Sequence, residues 1–434
     1  MEKWWERTGA FVRLISKKWH MNLEDFAKLI PKLKEMGFGA IELYAPYMSG
    51  EEYLGLDIVD FMRVDPALGD MAGLKSFLRQ AHEAGMYVIA NVNVGYGARD
   101  YAPFLKACDD VKNGVDSVER EWFLFSERPA AMQRPNAPFF LQDADGKWIY
   151  SERAGQYFWV KWFGMKGDTV LPQFNFASAS YQQACARGLS LWRDAGFDGF
   201  MVDAVNWYVN CDWEINKRAI TGPIHAKGER FAQPEGAGGF RDDPVPWIER
   251  GGYNCVQDYA LNLWWEQVDV IGEAIRRGCP QGIEAALESY RDRVVRAGGV
   301  CYTGINQADE APLPLDAAQM LNLAVLVAAG EVVCINMMPW MFESQALRQL
   351  LHVQRAHPAL SPVSARQCLA VQDEAHHMAW YKTCPGSGDA VLAVFNFENR
   401  PARVEARLPD GETIARELPA YGYWFEPRGR PGPD

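Results

Sequence analysis

Short strand-type runs alternate with helical stretches through most of this 434-residue chain, and this alternation restricts its fold more than any other feature. Runs such as residues 11–15, 40–43 and 87–92 are separated by stretches with helical spacing of apolar residues, such as 23–36. Alternating strands and helices are typical of parallel βα units. The pattern favours a closed (β/α)8 barrel over an open sheet, and the length leaves room for further domains.

Two regions depart from the alternation. Residues 97–171 are rich in aromatic residues and proline, and they are too long for an ordinary βα connection. From residue 360 onwards helical spacing stops and alternating segments such as 391–397 indicate antiparallel strands. We therefore predict an α/β fold with a (β/α)8 TIM barrel from residues 1–96 and 172–359. The prediction adds a small domain, 97–171, inserted after strand three, and a C-terminal antiparallel β-sandwich domain, 360–434.

Charge and composition exclude several classes of partner. The chain has a net charge of −12 and no cluster of basic residues, which argues against nucleic acid or an anionic membrane as its binding partner. No run approaches the roughly 18 apolar residues of a membrane span, and the first residues lack the apolar core of a signal peptide. The nine cysteines are odd in number and scattered, which indicates reduced thiols. We expect a cytoplasmic protein that binds a neutral small molecule, and the sequence gives no indication of oligomeric state.

Asp203 follows the short apolar run 199–202. A carboxylate at the end of a buried strand costs free energy unless it is paired or functional. In a (β/α)8 barrel, the C-terminal ends of the strands are where catalytic groups lie. The position therefore predicts a functional role for Asp203.

Several segments follow one another in an order that carries further information. They are Gly55-Leu56-Asp57-Ile58-Val59-Asp60-Phe61, Ala81-His82-Glu83-Ala84-Gly85 before Val88-Ile89-Ala90-Asn91, Pro172-Gln173-Phe174-Asn175, and Asp198-Gly199-Phe200-Met201-Val202-Asp203. Together they resemble the alpha-amylase family of retaining glycosidases, glycoside hydrolase family 13. The resemblance implies the barrel, the insertion and the C-terminal β domain.

Retaining glycoside hydrolysis needs two carboxyl groups about 5 Å apart, one as nucleophile and one as acid and base. The resemblance implies that Asp203 is the nucleophile. For the acid we favour Glu235, because a strand-type run, 230–233, ends just before it and one crossover helix fits between the two residues. The alternative, Glu288, lies in a helical pattern over 281–296 and is more typical of a helix surface. A third family carboxylate is matched by Asp309, which falls one residue late.

This chain departs from the family at residues that contact the sugar. Met201 stands where the family has an arginine beside the nucleophile, unless Lys161 or Arg230 supplies that cation. Three further family residues are replaced in this chain. Tyr96 and Gln307 stand where the family has histidines, and Leu56 stands where it has a stacking tyrosine. The residues predicted to bind substrate are Tyr96, Met201, Asn206, Trp207, Gln307 and Asp57.

No phosphate-binding loop or metal-binding motif occurs, and Gly95 stands where the family has an asparagine that helps to bind calcium. We predict no metal and no cofactor. The sequence as a whole predicts a retaining glycosidase acting on an α-linked di- or oligosaccharide or a modified glycoside. A transglycosylase or glycosyl isomerase would share its first half-reaction. The alternative from another class is a non-catalytic relative that binds carbohydrate or serves as a scaffold.

Overall fold

The computed structural model describes residues 3–50, 54–129, 146–161, 170–236, 243–258, 261, 269–305, 315–384 and 386–429. The N-terminal region forms three barrel strands and the helices between them. Helix α2 is capped at its N-terminus by Asn22, whose side chain accepts the backbone N–H of Asp25, and at its C-terminus by Gly37 with φ +103°. The elements are β1 (Phe11–Leu14), α1 (Ser16–Trp19), α2 (Leu23–Met36), β2 (Ala40–Tyr44), β3 (Tyr47–Ser49), β4 (Ile58–Val64), α3 (Met71–Glu83) and β5 (Tyr87–Val92).

An insertion follows β5, the third barrel strand. Two helices come first, and then an antiparallel hairpin, β7–β8, whose second strand pairs with two short strands, β6 and β9. The hairpin packs onto the first of these helices through Phe158, whose ring lies 4.8 Å from that of Phe104. The elements are α4 (Ala102–Lys112), α5 (Val118–Glu121), β6 (Phe125–Ser126), β7 (Gly146–Ser151), β8 (Gln156–Lys161) and β9 (Leu171–Pro172).

The chain then returns to the barrel. The predicted helix over 281–296 is two helices, because the backbone bends at Tyr290, whose hydroxyl donates to the carbonyl of Gln257 at 2.5 Å. The elements are α6 (Ala179–Ala195), β10 (Gly199–Val202), α7 (Trp213–Asn216), α8 (Gly222–His225), β11 (Phe231–Pro234), α9 (Val245–Glu249), β12 (Cys255–Gln257), α10 (Val270–Arg277), α11 (Ile283–Ser289), α12 (Arg291–Arg296), β13 (Val300–Ile305), α13 (Ala317–Ala329), β14 (Val332–Asn336) and α14 (Gln345–Ala356).

The eight barrel strands form one parallel sheet in the order β11-β10-β5-β2-β1-β14-β13-β12. Its two end strands meet through Asn254, which precedes β12. The Asn254 N–H donates to the carbonyl of Ala232 at 3.2 Å, and its side-chain oxygen accepts the N–H of Ala232 at 2.9 Å. One residue thus closes the barrel with its backbone and its side chain.

Polar side chains fill the middle of the barrel. The Arg13 Nε and the Asn91 amide each donate to Glu42 Oε1 at 2.7 Å, and the Tyr302 hydroxyl donates to the same carboxylate. Strands β2 and β13 are not neighbours, so these bonds cross the interior. Since a buried charge is tolerated only when it is paired and hydrogen-bonded, the network accounts for Arg13 and Glu42 at the centre of the fold.

The C-terminal region forms antiparallel sheets. One has the order β15-β16-β17-β20, and β18 pairs with β19. The two share a hydrophobic cluster that includes Leu392, Val404 and Ile414. The strands are β15 (Ala365–Cys368), β16 (His377–Thr383), β17 (Ala390–Asn396), β18 (Ala402–Arg407), β19 (Thr413–Leu418) and β20 (Tyr423–Pro427).

The predicted fold class is confirmed: a parallel eight-stranded barrel, an insertion after its third strand and antiparallel sheets at the C-terminus. The domain boundaries at residues 97, 172 and 360 stay predictions. Within the described ranges, every helix is too short or too polar to cross a lipid bilayer.

Candidate active site

Asp203 and Glu235 follow two neighbouring barrel strands. Strands β10 and β11 pair in parallel with Val202 opposite Pro234. The Asp203 N–H donates to the carbonyl of Val92 and the Glu235 N–H to that of Val202, both at 2.8 Å. Hydrogen bonding of the sheet therefore continues just past each strand and delivers both residues to its C-terminal end, as the sequence predicts.

The turn after β10 brings the two acidic residues together. Ala204 has φ +50°, in the left-handed region that non-glycine residues occupy at a cost of about 1 kcal/mol. Its N–H donates to Glu235 Oε2 at 2.9 Å, and the next N–H, of Val205, donates to the Glu235 carbonyl at 3.1 Å. The Glu235 carboxylate thus lies against the residue next to Asp203. Strained backbone of this kind is concentrated at functional sites.

Two tyrosines hold Asp203. The Tyr96 hydroxyl donates to Asp203 Oδ2 at 2.8 Å, and the Tyr208 hydroxyl donates to the Asp203 carbonyl at 2.7 Å. Both rings are buried, and Asp203 is 5% exposed. Gly95 makes room for the second ring, since a Cβ at this position would lie 2.4 Å from Tyr208. One neutral donor, Tyr96, therefore orients the carboxylate, and a second, Tyr208, holds the backbone of the same residue.

Burial keeps the tyrosines beside Asp203 protonated. It raises the pKa of Tyr47 well above its usual value, and the negative charges of Asp203 and Asp57 raise it further. The pKa of Tyr208 is raised by burial, then by Tyr253 and by Asp203. A phenol with a raised pKa keeps its proton at neutral pH, so these hydroxyls remain hydrogen-bond donors.

An apolar side chain, that of Met201, occupies the position where the family has an arginine. Met201 points into the barrel and packs in a cluster with Phe11 and Phe231. Arg230 does not substitute for the arginine, because its guanidinium bonds to the carbonyls of Phe197, Lys227 and Gly228 at the opposite end of β11. The side chain of Lys161 lies outside the described residues.

The remaining predicted site residues are placed as follows. Asn206 is fully buried, and within the described chain neither atom of its amide has a hydrogen-bond partner. It faces Gly236, where a Cβ would lie 2.2 Å from Asn206 Oδ1.

Trp207 is partly exposed. Asp57 is fully buried against Gly50. Asp309 and Gln307 lie outside the described residues, and Glu288 is exposed on α11.

The sequence analysis did not predict the roles of two residues, Gln173 and Glu42. Gln173 donates its amide to the carbonyl of Trp207 and accepts the indole N–H of Trp159, so it connects the insertion to the loop after Asp203. Glu42 anchors the polar network in the barrel. Its signal was present, because a carboxylate at an inward position of an apolar strand demands a partner, and Arg13 occupies an equivalent position in β1.

One group of potential metal ligands occurs among the described residues. Atoms of Asp258, Cys301 and Glu331 lie within 4.8 Å of one another; Cys301 is on β13, Asp258 follows β12 and Glu331 precedes β14. Burial and the neighbouring Asp258 raise the pKa of Glu331 well above its usual value, which indicates a proton shared between the two carboxyl groups. The group lies on the face opposite to the barrel interior, so it has no part in the candidate active site.

Comparison with known proteins identifies relatives of this chain. Residues 22–232 match the family described as alpha amylase, catalytic domain. The trehalose synthase of Pimelobacter sp. is 25% identical over 208 residues, which cover 46% of this chain and 35% of that protein. The cyclomaltodextrinase of Geobacillus thermopakistaniensis is 20% identical over 463 aligned positions, covering 93% of this chain and 69% of the relative. This chain therefore spans about a third of the length of the first relative.

Solved structures share the fold. The alpha-amylase from H. orenii matches with a TM-score of 0.75 over 96% of this chain and 99% of that chain, at 14% identity. Identity at this level shows a common architecture only. The match over residues 22–232 shows that this chain carries an alpha-amylase catalytic domain, divergent in sequence from the relatives named above.

Proposed function

We propose that this protein is a retaining glycosidase that cleaves an α-linked di- or oligosaccharide. The observation that carries the proposal is the hydrogen bond from the Ala204 N–H to Glu235 Oε2, which ties the Glu235 carboxylate to the residue beside Asp203. Two carboxyl groups on adjacent strand ends are what the double-displacement mechanism needs. One of them is oriented by Tyr96, and the other is partly exposed to solvent.

The roles follow from the positions. Asp203 attacks the anomeric carbon, and the glycosidic bond breaks as Glu235 protonates the leaving oxygen. Glu235 then removes a proton from water, which attacks the same carbon and releases Asp203 with the anomeric configuration retained. Asp309 stays our proposal for a third carboxylate that stabilises the transition state. No step of this scheme requires a metal or a cofactor.

The substrate class is proposed from relatives and from the changed contacts. Names of relatives include a trehalose synthase, an oligo-1,6-glucosidase and a cyclomaltodextrinase. Met201, Tyr96 and Leu56 leave fewer polar or stacking groups to select an unmodified glucose, since Leu56 is 1% exposed and the hydroxyl of Tyr96 is engaged by Asp203. A modified glycoside therefore belongs in any substrate screen.

The test is to replace each carboxylate by its amide. Asp203→Asn and Glu235→Gln should each lower turnover of aryl α-glucosides and malto-oligosaccharides by several orders of magnitude. A 2-deoxy-2-fluoro glycoside with a good leaving group should label the native protein at Asp203, as detected by peptide mass spectrometry. Glu288→Gln, on an exposed helix surface, is the matched control and should retain full activity. Full turnover by Asp203→Asn, or no turnover and no adduct with the native protein, would overturn the proposal.

Transfer is the second candidate, and the similarity to a trehalose synthase favours it. A transglycosylase or glycosyl isomerase forms the same intermediate but delivers the sugar to another hydroxyl instead of to water. Product analysis with and without added acceptor sugar separates these reactions. Hydrolysis predicts free sugar in both cases, whereas transfer predicts a new disaccharide whose yield rises with acceptor concentration.

We also propose a cytoplasmic location. All nine cysteines lie among the described residues as thiols, and seven of them are buried. Free thiols fit a reducing compartment.

A further inference from the structure

A cavity lies where strand β4, helix α6 and the insertion meet. Its volume is about 170 Å³, and the described residues that line it include neither Asp203 nor Glu235 nor a residue that bonds to them. Protein interiors are close-packed and contain few voids larger than a water molecule. A cavity of this size, apart from the candidate active site, therefore calls for an occupant.

Aromatic rings form much of the cavity wall. They belong to Tyr101, Trp122, Phe174 and Tyr181 among others. The ring of Phe174 stacks on that of Tyr181 at 4.5 Å, and the ring of Tyr101 meets that of Phe174 edge-on at 5.6 Å. The Tyr181 hydroxyl is engaged by the carbonyl of Val94, and the Trp122 indole N–H is engaged by the hydroxyl of Ser180. These walls therefore offer mainly carbon surface to an apolar group.

Two side chains of opposite charge line the same cavity, Asp60 on β4 and Arg187 on α6. Within the described chain neither makes an ion pair, and the Arg187 guanidinium makes no hydrogen bond. Asp60 Oδ1 accepts the N–H of Met62 at 2.9 Å. Burial raises the pKa of Tyr101 and the negative charge of Asp60 raises it further, so the carboxylate lies close to that ring. Both charges are thus available to a ligand in the cavity.

We propose that this cavity binds a free amino acid with an aromatic side chain. An apolar cavity of about 150 Å³ is large enough for benzene, so the volume suits a side chain of one ring. The ring would lie among the aromatic walls, the ammonium group would pair with Asp60, and the carboxylate would pair with Arg187, which can hold it by two hydrogen bonds. A neutral sugar would leave both charges unused. The inference does not depend on the proposed glycosidase activity.

The cavity adjoins the segment that carries Tyr96. Val94 and Phe174 line it, and the Phe174 N–H donates to the carbonyl of Gly95 at 2.9 Å. Tyr96 itself forms a β-bridge with Gln173. An occupant therefore packs against the two segments that hold Tyr96 in place, without entering the space between the carboxylates.

A solvent-filled gap between the insertion and the barrel is the competing explanation. In that case Asp60 and Arg187 are ordinary solvated charges, and any apolar probe that enters does so through its ring alone. The two explanations differ in whether affinity depends on the two charges of the probe, and on each protein charge separately.

The experiment measures the binding of three probes by calorimetry: L-phenylalanine, phenethylamine, which lacks the carboxylate, and 3-phenylpropionate, which lacks the ammonium group. L-phenylalanine should bind saturably, and each of the other two should bind about 10-fold more weakly, because one charged contact is lost. Arg187→Gln should weaken L-phenylalanine by a similar factor and leave phenethylamine unchanged. Asp60→Asn should weaken L-phenylalanine and leave 3-phenylpropionate unchanged.

Three further variants serve as controls. Ala184→Phe, on the part of α6 that lines the cavity, fills it and should abolish binding. Arg79→Gln, at an exposed position on α3, is matched to Arg187→Gln and should leave all three affinities as they are. Asp203→Asn should bind L-phenylalanine like the native protein. Thermal unfolding shows whether each variant is folded.

The inference holds if affinity follows the two charges as stated and each protein charge matters only to the probes that carry its partner. It is wrong if L-phenylalanine does not bind saturably, if the three probes bind equally, or if folded Ala184→Phe keeps the native affinity. Loss of binding in Asp203→Asn would place the probe in the catalytic pocket and also overturn it. Since these measurements involve no turnover, failure of the proposed function leaves their outcome unaffected.

Discussion

Hydroxyl groups surround Asp203 in the part of the chain that the structure describes. Tyr96 donates to its carboxylate, Tyr208 donates to its carbonyl, and Tyr47 lies close enough for the charge of Asp203 to raise its pKa. A hydroxyl orients a carboxylate by a hydrogen bond but brings no positive charge. Neutral hydrogen-bond donors therefore hold Asp203 in this chain. In the family pattern, a guanidinium adds electrostatic attraction to the carboxylate.

Removal of the Tyr96 hydroxyl tests this arrangement. Tyr96→Phe keeps the buried ring and deletes one hydrogen bond to an ionised group, worth about 1.5–3 kcal/mol. We expect kcat to fall about 10- to 100-fold with a smaller change in KM, because the attacking carboxylate loses its orientation. Steady-state kinetics on an aryl α-glucoside gives both values.

The control is the second tyrosine. Tyr208→Phe removes a bond to the backbone carbonyl of Asp203, not to its carboxylate, so its effect on kcat should be the smaller of the two. Equal kcat values for Tyr96→Phe and the native protein would show that Tyr96 does not orient the nucleophile.

At the scale of elements, the strand ends are what the sequence predicts best. Asp203 follows a short apolar run and Glu235 a strand-type run, and a carboxylate at the end of a barrel strand is unusual enough to predict a site. The hydrogen bond between Tyr96 and Asp203 joins residues 107 positions apart. Such a contact depends on how β5 and β10 pair, and no local pattern in the sequence encodes it.

A second acidic pair lies at the ends of two other barrel strands, since Asp258 follows β12 and Glu331 precedes β14. Thr303 donates to Glu331 Oε2 at 3.0 Å. Burial, and then Asp258, raise the pKa of Glu331 well above its usual value. The folded protein therefore holds a proton that the unfolded chain releases above about pH 4.3. Stability present below that pH is lost as the pH rises through the folded pKa.

Glu331→Gln mimics the protonated acid, since its amide can donate to Asp258 and accept from Thr303. We expect the free energy of unfolding of the native protein to fall between pH 4 and 7 relative to that of the variant. Urea unfolding at several pH values measures the difference. Glu83→Gln, on the exposed side of α3, should show the native pH dependence. Parallel curves for Glu331→Gln and the native protein would contradict the shared proton.

At the scale of the whole molecule, a charged cluster joins the barrel to the C-terminal sheet. Arg366 on β15 bonds to Glu284 on α11 and to Asp292 on α12. Lys382 lies directly opposite Arg366 on β16 and is fully buried. Among the described residues its Nζ has no hydrogen-bond partner. Burial, then Arg291 and Arg366, lower its pKa well below the usual value.

Lys382 should therefore destabilise the junction. Its lowered pKa means that the unfolded chain binds a proton that the folded protein does not, so stability rises with pH up to about 10.4. Lys382→Met should raise the free energy of unfolding at pH 7 by about 1–3 kcal/mol, and the gain should shrink as the pH approaches 10. Thermal and urea unfolding across that range measure it.

The comparison variant is Lys75→Met, at an exposed position on α3, which should unfold like the native protein. A loss of stability in Lys382→Met at pH 7 would mean that the amine is charged and paired in the folded protein.

The closure of the barrel at Asn254 has a consequence for the dynamics of the site. Strand β10 is hydrogen-bonded along both edges, to β5 and to β11, whereas β11 has regular strand pairing only with β10. Along its other edge, Asn254 donates its N–H to the carbonyl of Ala232 and accepts the Ala232 N–H. Amide protons along that margin should exchange with deuterium sooner than those of β5. We therefore expect larger backbone fluctuations in the strand that precedes Glu235 than in the strand that precedes Asp203, which is paired along both edges.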